Sequence, residues 1–188
     1  RGWDDYELRN GRAGAAPRVF PFAPWQGAEL PAGAALLIYG EQGVGDEIMF
    51  ASCVPDLLAR GMRIVIECDL RLAALYARSF PTARVHGAAR DGDRNWLAAY
   101  PELAAQIAIG SLPRLTRRTA AAFPPHSGYL RADPQRVAYW RKRLADVSTG
   151  IKIGVTWRGG TAKTRGGLRS ISAQELGPIL DSPRVTFI

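Results

Sequence analysis

From residue 35 onward, apolar and polar positions form short blocks whose period changes in a regular order. The run Leu36, Leu37, Ile38 and Tyr39 predicts a strand from Ala35 to Gly40. Gly40, Gly43 and Gly45 follow. Then Ile48, Met49, Phe50, Cys53 and Val54 recur at helical spacing, which predicts a helix from Asp46 to Arg60, ended by Gly61. Arg63 to Cys68 reads as a second strand, Leu70 to Ser79 as a second helix, and Ala83 to Gly87 as a third strand. This β-α-β-α-β order places the chain in the α/β class. It predicts a parallel, doubly wound, Rossmann-like sheet with right-handed crossovers.

The flanking segments carry weaker patterns. Arg1 to Arg12 reads as a short amphipathic helix, with Trp3, Tyr6 and Leu8 as its packing residues. Ala13 to Gly33 contains Pro17, Pro21, Pro24 and Pro31 and is expected to be an extended strap docked by Phe20, Phe22 and Trp25. Trp96 to Ala105 reads as a helix, Gln106 to Ile109 as a short strand, and Arg114 to Ser127 as a basic loop. Asp133-Pro134 is a helix start, and Gln135 to Val147 a helix with Val137, Trp140, Leu144 and Val147 on one stripe. After Gly150 the pattern restarts: a strand from Ile151 to Trp157, a polar glycine loop from Arg158 to Ser170, a helix from Ser172 to Leu180, and a strand from Arg184 to Ile188. The expected division is 1–33 helix and strap, 34–133 first Rossmann-like domain, 134–150 linker helix, and 151–188 the first β-α-β unit of a second domain. Such a unit cannot bury both faces of a parallel sheet, so either the natural protein is expected to continue beyond Ile188 or a partner is expected to cover this piece.

Composition narrows the function classes. The 188 residues are 47% apolar, ordinary for a globular protein, and no apolar run approaches the roughly 18 residues of a membrane span. The net charge of +8 comes almost entirely from Arg, which suits phosphate or acidic-glycan partners. The arginines are scattered and no nucleic-acid reading motif accompanies them, so no nucleic-acid partner is expected. Cys53 and Cys68 lie in apolar segments without CxxC spacing and read as buried free thiols of a reducing, cytoplasmic compartment. His86 and His126 have no partner at ligand spacing, so no metal site is expected.

Candidate chemistry gathers in two glycine turns. In the first, Glu41-Gln42-Gly43-Val44-Gly45-Asp46-Glu47, the glycines let a ligand approach the backbone. Asp46 reads either as a helix cap or as a carboxylate at the mouth of a cleft. The second turn carries Arg158, Lys163, Arg165 and Arg169 with Thr161, Thr164 and Ser170, a mixture that predicts a phosphate site. Asp46 stands where a Walker A loop needs Lys, which excludes that motif. Gly43-Val44-Gly45 matches part of a dinucleotide fingerprint, with Glu67 or Asp69 about 20 residues on, but Ile48 replaces the third Gly.

Several of these segments together resemble a known family. Glu41 to Phe50, EQGVGDEIMF, is similar to the EQGxGD segment of bacterial glycosyltransferases fused to tetratricopeptide repeats, relatives of the family 9 heptosyltransferases. Trp3 to Arg9 resembles the W-x-x-Y-E-x-R that ends the last repeat in that family, and Trp25-Gln26-Gly27 its W-x-G. Ser111-Leu112-Pro113, Tyr129-Leu130, Gly154 to Trp157 and Arg169-Ser170 fall in the same order. The resemblance implies a GT-B fold, with the acceptor on the first domain and a nucleotide-sugar donor mainly on the second. Neither metal nor resident cofactor is implied. It implies Asp46 as catalytic base, Glu41, Gln42, Gly43 and Gly45 as the backbone and side chains next to substrate, and Thr161, Lys163, Arg169 and Ser170 as donor-phosphate contacts. The acceptor would be a glycan or a protein, and peripheral membrane association stays open. The 188 residues alone are expected not to turn over a sugar nucleotide. Two alternatives stand beside this reading: a non-catalytic scaffold module next to the repeats, and an NAD-binding Rossmann protein.

Overall fold

Five strands pair in parallel in the order β1-β5-β2-β3-β4: β1 (Ala23–Pro24), β2 (Ala35–Tyr39), β3 (Arg63–Asp69), β4 (Arg84–Ala88) and β5 (Leu103–Ala108). This is a Rossmann-like α/β sheet. The computed structural model describes residues 2–11, 18–89, 92–125, 127–148, 150–160 and 166–188. The chain divides into two units, Arg1–Asp133 and Pro134–Ile188.

The central strand β2 buries Leu36, Leu37 and Ile38 completely, which stabilises the fold by roughly 1.5–3 kcal/mol per side chain. Leu36 and Ile38 face one layer with Ile64 and Ile66. That layer is covered by Phe50, Val54, Leu57, Tyr76, Phe80 and Leu112. These come from α2 (Val44–Phe50), α3 (Val54–Ala59), α4 (Ala73–Ser79), the turn after it, and α5 (Leu112–Thr116). Leu37 and Val65 face the opposite layer, where Phe20 of the strap meets Tyr100 and, less buried, Trp96 and Leu97. Right-handed crossovers explain the asymmetry. The steps β2 to β3 to β4 run one way and lay their helices on one face. The step from β4 to β5 runs back, so its connection falls on the other face. That connection is a 3₁₀ turn, Asn95–Ala99, and not the helix expected from Trp96 to Ala105. Pro101 ends the turn, and the strand then starts at Leu103, earlier than the expected Gln106. The register shifts between Ala35 and Leu36. Leu103 thereby joins the second layer while Ala105 and Ile107 face the first.

Three further local expectations change. The helix expected from Asp46 to Arg60 begins at Val44 and is split by a 3₁₀ turn, Ala51–Cys53. Pro55 has no N–H for the Ala51 carbonyl, so the α-helix cannot run through. The strap also contributes a strand: Ala23–Pro24 pairs with Ala105 and Gln106 of β5. A proline fits there because this is an edge. In the first segment, α1 (Gly2–Tyr6) continues as a 3₁₀ turn, Glu7–Gly11. Trp3 and Tyr6 pack on Phe50, whereas Leu8 is exposed.

In the second unit, α6 (Pro134–Val147) is followed by β6 (Ile151–Ile153), α7 (Gly177–Leu180) and β7 (Val185–Phe187), with β6 and β7 parallel. The strand expected to reach Trp157 covers three residues, and the helix expected from Ser172 keeps only its last four. Val137, Trp140 and Val147 of the α6 stripe are exposed.

Candidate functional site

Sheet order reverses between β2 and β5, and ligands of open parallel sheets bind where such strands end. Glu41 follows β2, and Gly110 and Ser111 follow β5. Arg9 ties the two ends together. Its Nη2 donates to Glu41 Oε1 at 2.7 Å and to Ser111 Oγ at 2.8 Å, and its Nη1 to Glu7 Oε1 at 2.9 Å. Ser111 Oγ donates to Glu7 Oε2 at 2.9 Å, and the Gly110 N–H to Glu41 Oε1 at 3.2 Å. Burial works against the Arg9 charge, but the Glu41 and Glu7 hydrogen bonds outweigh it and hold its pKa above the usual guanidinium value. Gly110 leaves room for this arrangement: a Cβ there would push the Glu41 carboxylate away. Gln42 is held in the same way, since its Oε1 accepts from Tyr6 Oη at 2.6 Å.

The acids of the turn are sorted into separate environments. Glu47 is buried, and its Oε2 accepts from the Asp69 N–H at 2.9 Å. Its carboxyl lies over Gly40, where a Cβ would stand 2.5 Å away, so a larger residue there would push the Glu47 carboxyl aside. Glu67, buried at the end of β3, takes both arms of Arg18 at 2.6 and 2.7 Å, while Arg18 Nη1 also donates to the Gly40 carbonyl. Burial, aided by the Glu47, Glu67 and Asp69 charges, pushes the Cys68 thiol up to about 12. Both cysteines are free and buried.

Asp46 differs from its neighbours. It is half-buried at the third position of α2, and Gly43, not Asp46, is the N-cap. Asp46 Oδ2 accepts from the Gly43 N–H at 3.0 Å. Gly43 has no side chain to reciprocate, so only half of a capping box exists. Neither Gly43 nor Gly45 has positive φ. A Cβ at Gly45 would meet open space. Gly45, next to Asp46 in the chain, is exposed.

In the second unit, Arg158 and Arg169 are exposed. Ser170 Oγ accepts from the Gly159 N–H at 3.2 Å and donates to the Gly166 carbonyl at 2.9 Å, closing the loop on itself. Thr161 and Lys163, with Thr164 and Arg165, lie outside the described residues, as does His126. His86 stacks on Trp96 with ring centroids 4.2 Å apart. Among the described residues no helix is long and apolar enough to cross a membrane.

Comparison with known proteins gives one relative. The chain is 33% identical over 199 aligned positions to "Protein FlbA" of Caulobacter vibrioides. The alignment takes in the whole chain and 33% of FlbA, so the chain spans about a third of the length of the relative it matches. No family model matches, and no solved structure matches.

The residues that organise the site and were not singled out from sequence are Arg9, Arg18 and Gly110, while Glu67, weighed there as a ribose-binding acid, is the buried partner of Arg18. Arg9 stood in the Trp3 to Arg9 segment as a terminal residue of a repeat. Its partner Glu41 is 32 positions away, and no local pattern connects the two.

Proposed function

We propose that this chain is the acceptor-side Rossmann-like domain, with the beginning of a donor-side domain, of a metal-independent GT-B glycosyltransferase. In this reading the complete protein moves a sugar from a nucleotide donor to a glycan or protein acceptor. The observation that carries the reading is Asp46. Like Glu41 it is half-buried, but Glu41 is taken up by Arg9 and the Gly110 N–H, whereas the described hydrogen bond of Asp46 is one backbone N–H on a single carboxylate oxygen. Asp46 takes the acceptor hydroxyl proton as that oxygen bonds to the anomeric carbon. The bond from that carbon to the diphosphate breaks, and the electron pair leaves with the nucleotide. Thr161, Lys163, Arg169 and Ser170 are the groups assigned to the leaving diphosphate, where cations and hydroxyls offset the developing charge. Two free, buried thiols agree with a reducing cytoplasmic location.

A second reading has its own observation. Arg9, Glu7 and Tyr6 fill the ends of β2 and β5 from the chain's own first segment. A scaffold module, kept for binding beside helical repeats, would be built in this way. The test is release of nucleoside diphosphate from a panel of nucleotide sugars by the full-length protein. Steady release with one donor supports the transferase. Absence of release, together with absence of calorimetric binding of any nucleoside diphosphate, favours the scaffold.

A further inference from the structure

Among the described residues, the buried side-chain atoms without a hydrogen-bond partner include Arg18 Nε, Gln106 Oε1 and Arg114 Nε, on residues that line a cavity of about 270 Å³ beside β5. Those atoms are sealed in the packing and give a ligand nothing to touch. Residues 2–11 offer more, because their polar groups end on the turn that carries Asp46. That turn has little local support. Helix α2 is seven residues long, and an isolated helix shorter than about 12 residues is marginal in water. Gly43 at its start has no side chain to bond an N–H of the first turn. The position of the Asp46 carboxylate is therefore set by what grips the residues on either side of it.

On the inner face, Glu47 is buried on the Asp69 N–H, and Val44 and Phe50 pack on the core. On the entry side, the last side chain before Gly43 is Gln42, and its grip comes from Tyr6, whose Oη donates to Gln42 Oε1 at 2.6 Å. Tyr6 is itself fixed from two directions. Its ring centroid lies 5.6 Å from that of Phe50, one turn of α2 beyond Asp46, and the Arg9 guanidinium sits over the Tyr6 ring at 4.4 Å. Arg9 Nη1 also donates to the Tyr6 carbonyl at 3.1 Å, while Arg9 Nε and Nη2 donate to Glu41 Oε1 at 3.1 and 2.7 Å. One side chain thus touches both flanks of the stretch from Glu41 to Phe50: the Tyr6 hydroxyl holds its entry and the Tyr6 ring its far end. Burial, with a contribution from the Asp46 charge, holds the Tyr6 hydroxyl above its ordinary pKa, so it stays a donor to Gln42 at neutral pH.

From this we infer that Tyr6 is a positioning residue for Asp46, holding through Gln42 and Phe50 the turn that presents the carboxylate. The effect on transfer rests on the reading of Asp46 as base; the effect on the turn does not. The experiment uses the full-length protein and Tyr6→Phe, which keeps the ring on Phe50 and removes only the hydroxyl. Gln42→Met and the double variant are compared with it, as is Arg118→Met, which breaks an exposed tie of the same segment through Asp4. Amide exchange is followed by mass spectrometry on peptides spanning residues 41–50. These contain the Gly43 N–H, which donates to Asp46 Oδ2, and the Glu47 N–H, which donates to the Gly43 carbonyl at 3.0 Å. Exchange is expected to be about two- to tenfold faster in Tyr6→Phe, faster by the same factor in Gln42→Met and in the double variant, and unchanged in Arg118→Met. With the donor that supports nucleotide release, kcat of Tyr6→Phe is expected to fall about three- to tenfold at unchanged KM and melting temperature. Unchanged exchange in Tyr6→Phe, or an additive effect in the double variant, would overturn the inference whether or not the protein transfers sugar. Equal loosening in Arg118→Met would overturn it in favour of the segment as a whole. Faster exchange with unaltered kcat in an active parent would overturn the positioning role and leave Tyr6 a structural contact. A parent that releases no nucleotide from any donor overturns the transferase reading instead, and the exchange result still decides whether Tyr6 holds the turn.

Discussion

The end of β2 and the cavity beside β5 lie on neighbouring strands, yet they treat polar groups in opposite ways. At the ends of β2 and β3 the side chains of Glu41, Gln42 and Glu67 all have close partners, and Glu47 is buried on the Asp69 N–H. Beside β5, three buried polar atoms are left open. The difference separates paired groups that build the turn from atoms sealed in the packing without a partner. Within the turn the same distinction isolates Asp46: Glu47 is buried and Glu41 is held by Arg9, whereas the described hydrogen bond of Asp46 is a single backbone N–H. A count of acids in the turn would treat Glu41, Asp46 and Glu47 alike, whereas their partners do not.

The comparison is broken most severely at Glu67. Arg18→Met leaves a buried carboxylate without its cation, and about 3–5 kcal/mol of stability is expected to be lost, read from the midpoint of chemical denaturation. Replacing both partners, as Arg18→Met with Glu67→Met, is expected to recover much of that loss. Next comes Arg9→Met, which strips Glu41 and Ser111 of charged hydrogen bonds and is expected to cost about 1.5–3 kcal/mol by the same readout. Arg114→Met sharpens the contrast, because it removes an arginine with an unsatisfied donor. Its stability is expected to stay within about 0.5 kcal/mol of the parent, read from the same denaturation midpoint.

The smallest effect is a pH dependence at His86. Burial lowers its pKa below the ordinary 6.5, against a weaker opposing pull from Glu67. The unfolded chain therefore takes up this proton first as pH falls. Stability from this group is complete above about pH 6.5, is lost as pH drops from there toward the folded-state value, and levels off below it. His86→Phe is expected to remove that slope from the melting temperature measured between pH 7 and 5.

Much of the first sheet could be read locally. The apolar runs of β2 and β3 and the punctuation by Gly40 and Gly61 report burial on both faces and the positions of the turns. Where the reading failed, a local signal was outweighed. Trp96 to Ala99 has good helix formers, but Pro101 and the return path of the chain shorten it to a 3₁₀ turn. The strand Ala23–Pro24 has two residues, one a proline, and owes its existence to the neighbouring β5 edge. The turn from Glu41 to Glu47 could be found because its residues are contiguous. The partners that give those residues different environments, Arg9, Arg18 and Gly110, are 22 to 69 positions away from their contacts there and leave no periodic trace. The orphaned atoms of the cavity were equally invisible, since being unpaired is a property of the packed chain.

Asp46→Asn tests the central claim most directly. The Asn side-chain oxygen can still accept from the Gly43 N–H, so the helix start is retained while the base is lost. In the full-length protein, with the donor that supports nucleotide release, kcat is expected to fall about 10²–10⁴-fold with the melting temperature little changed. A variant with unaltered kcat would reduce Asp46 to a helix-terminal contact and contradict the account.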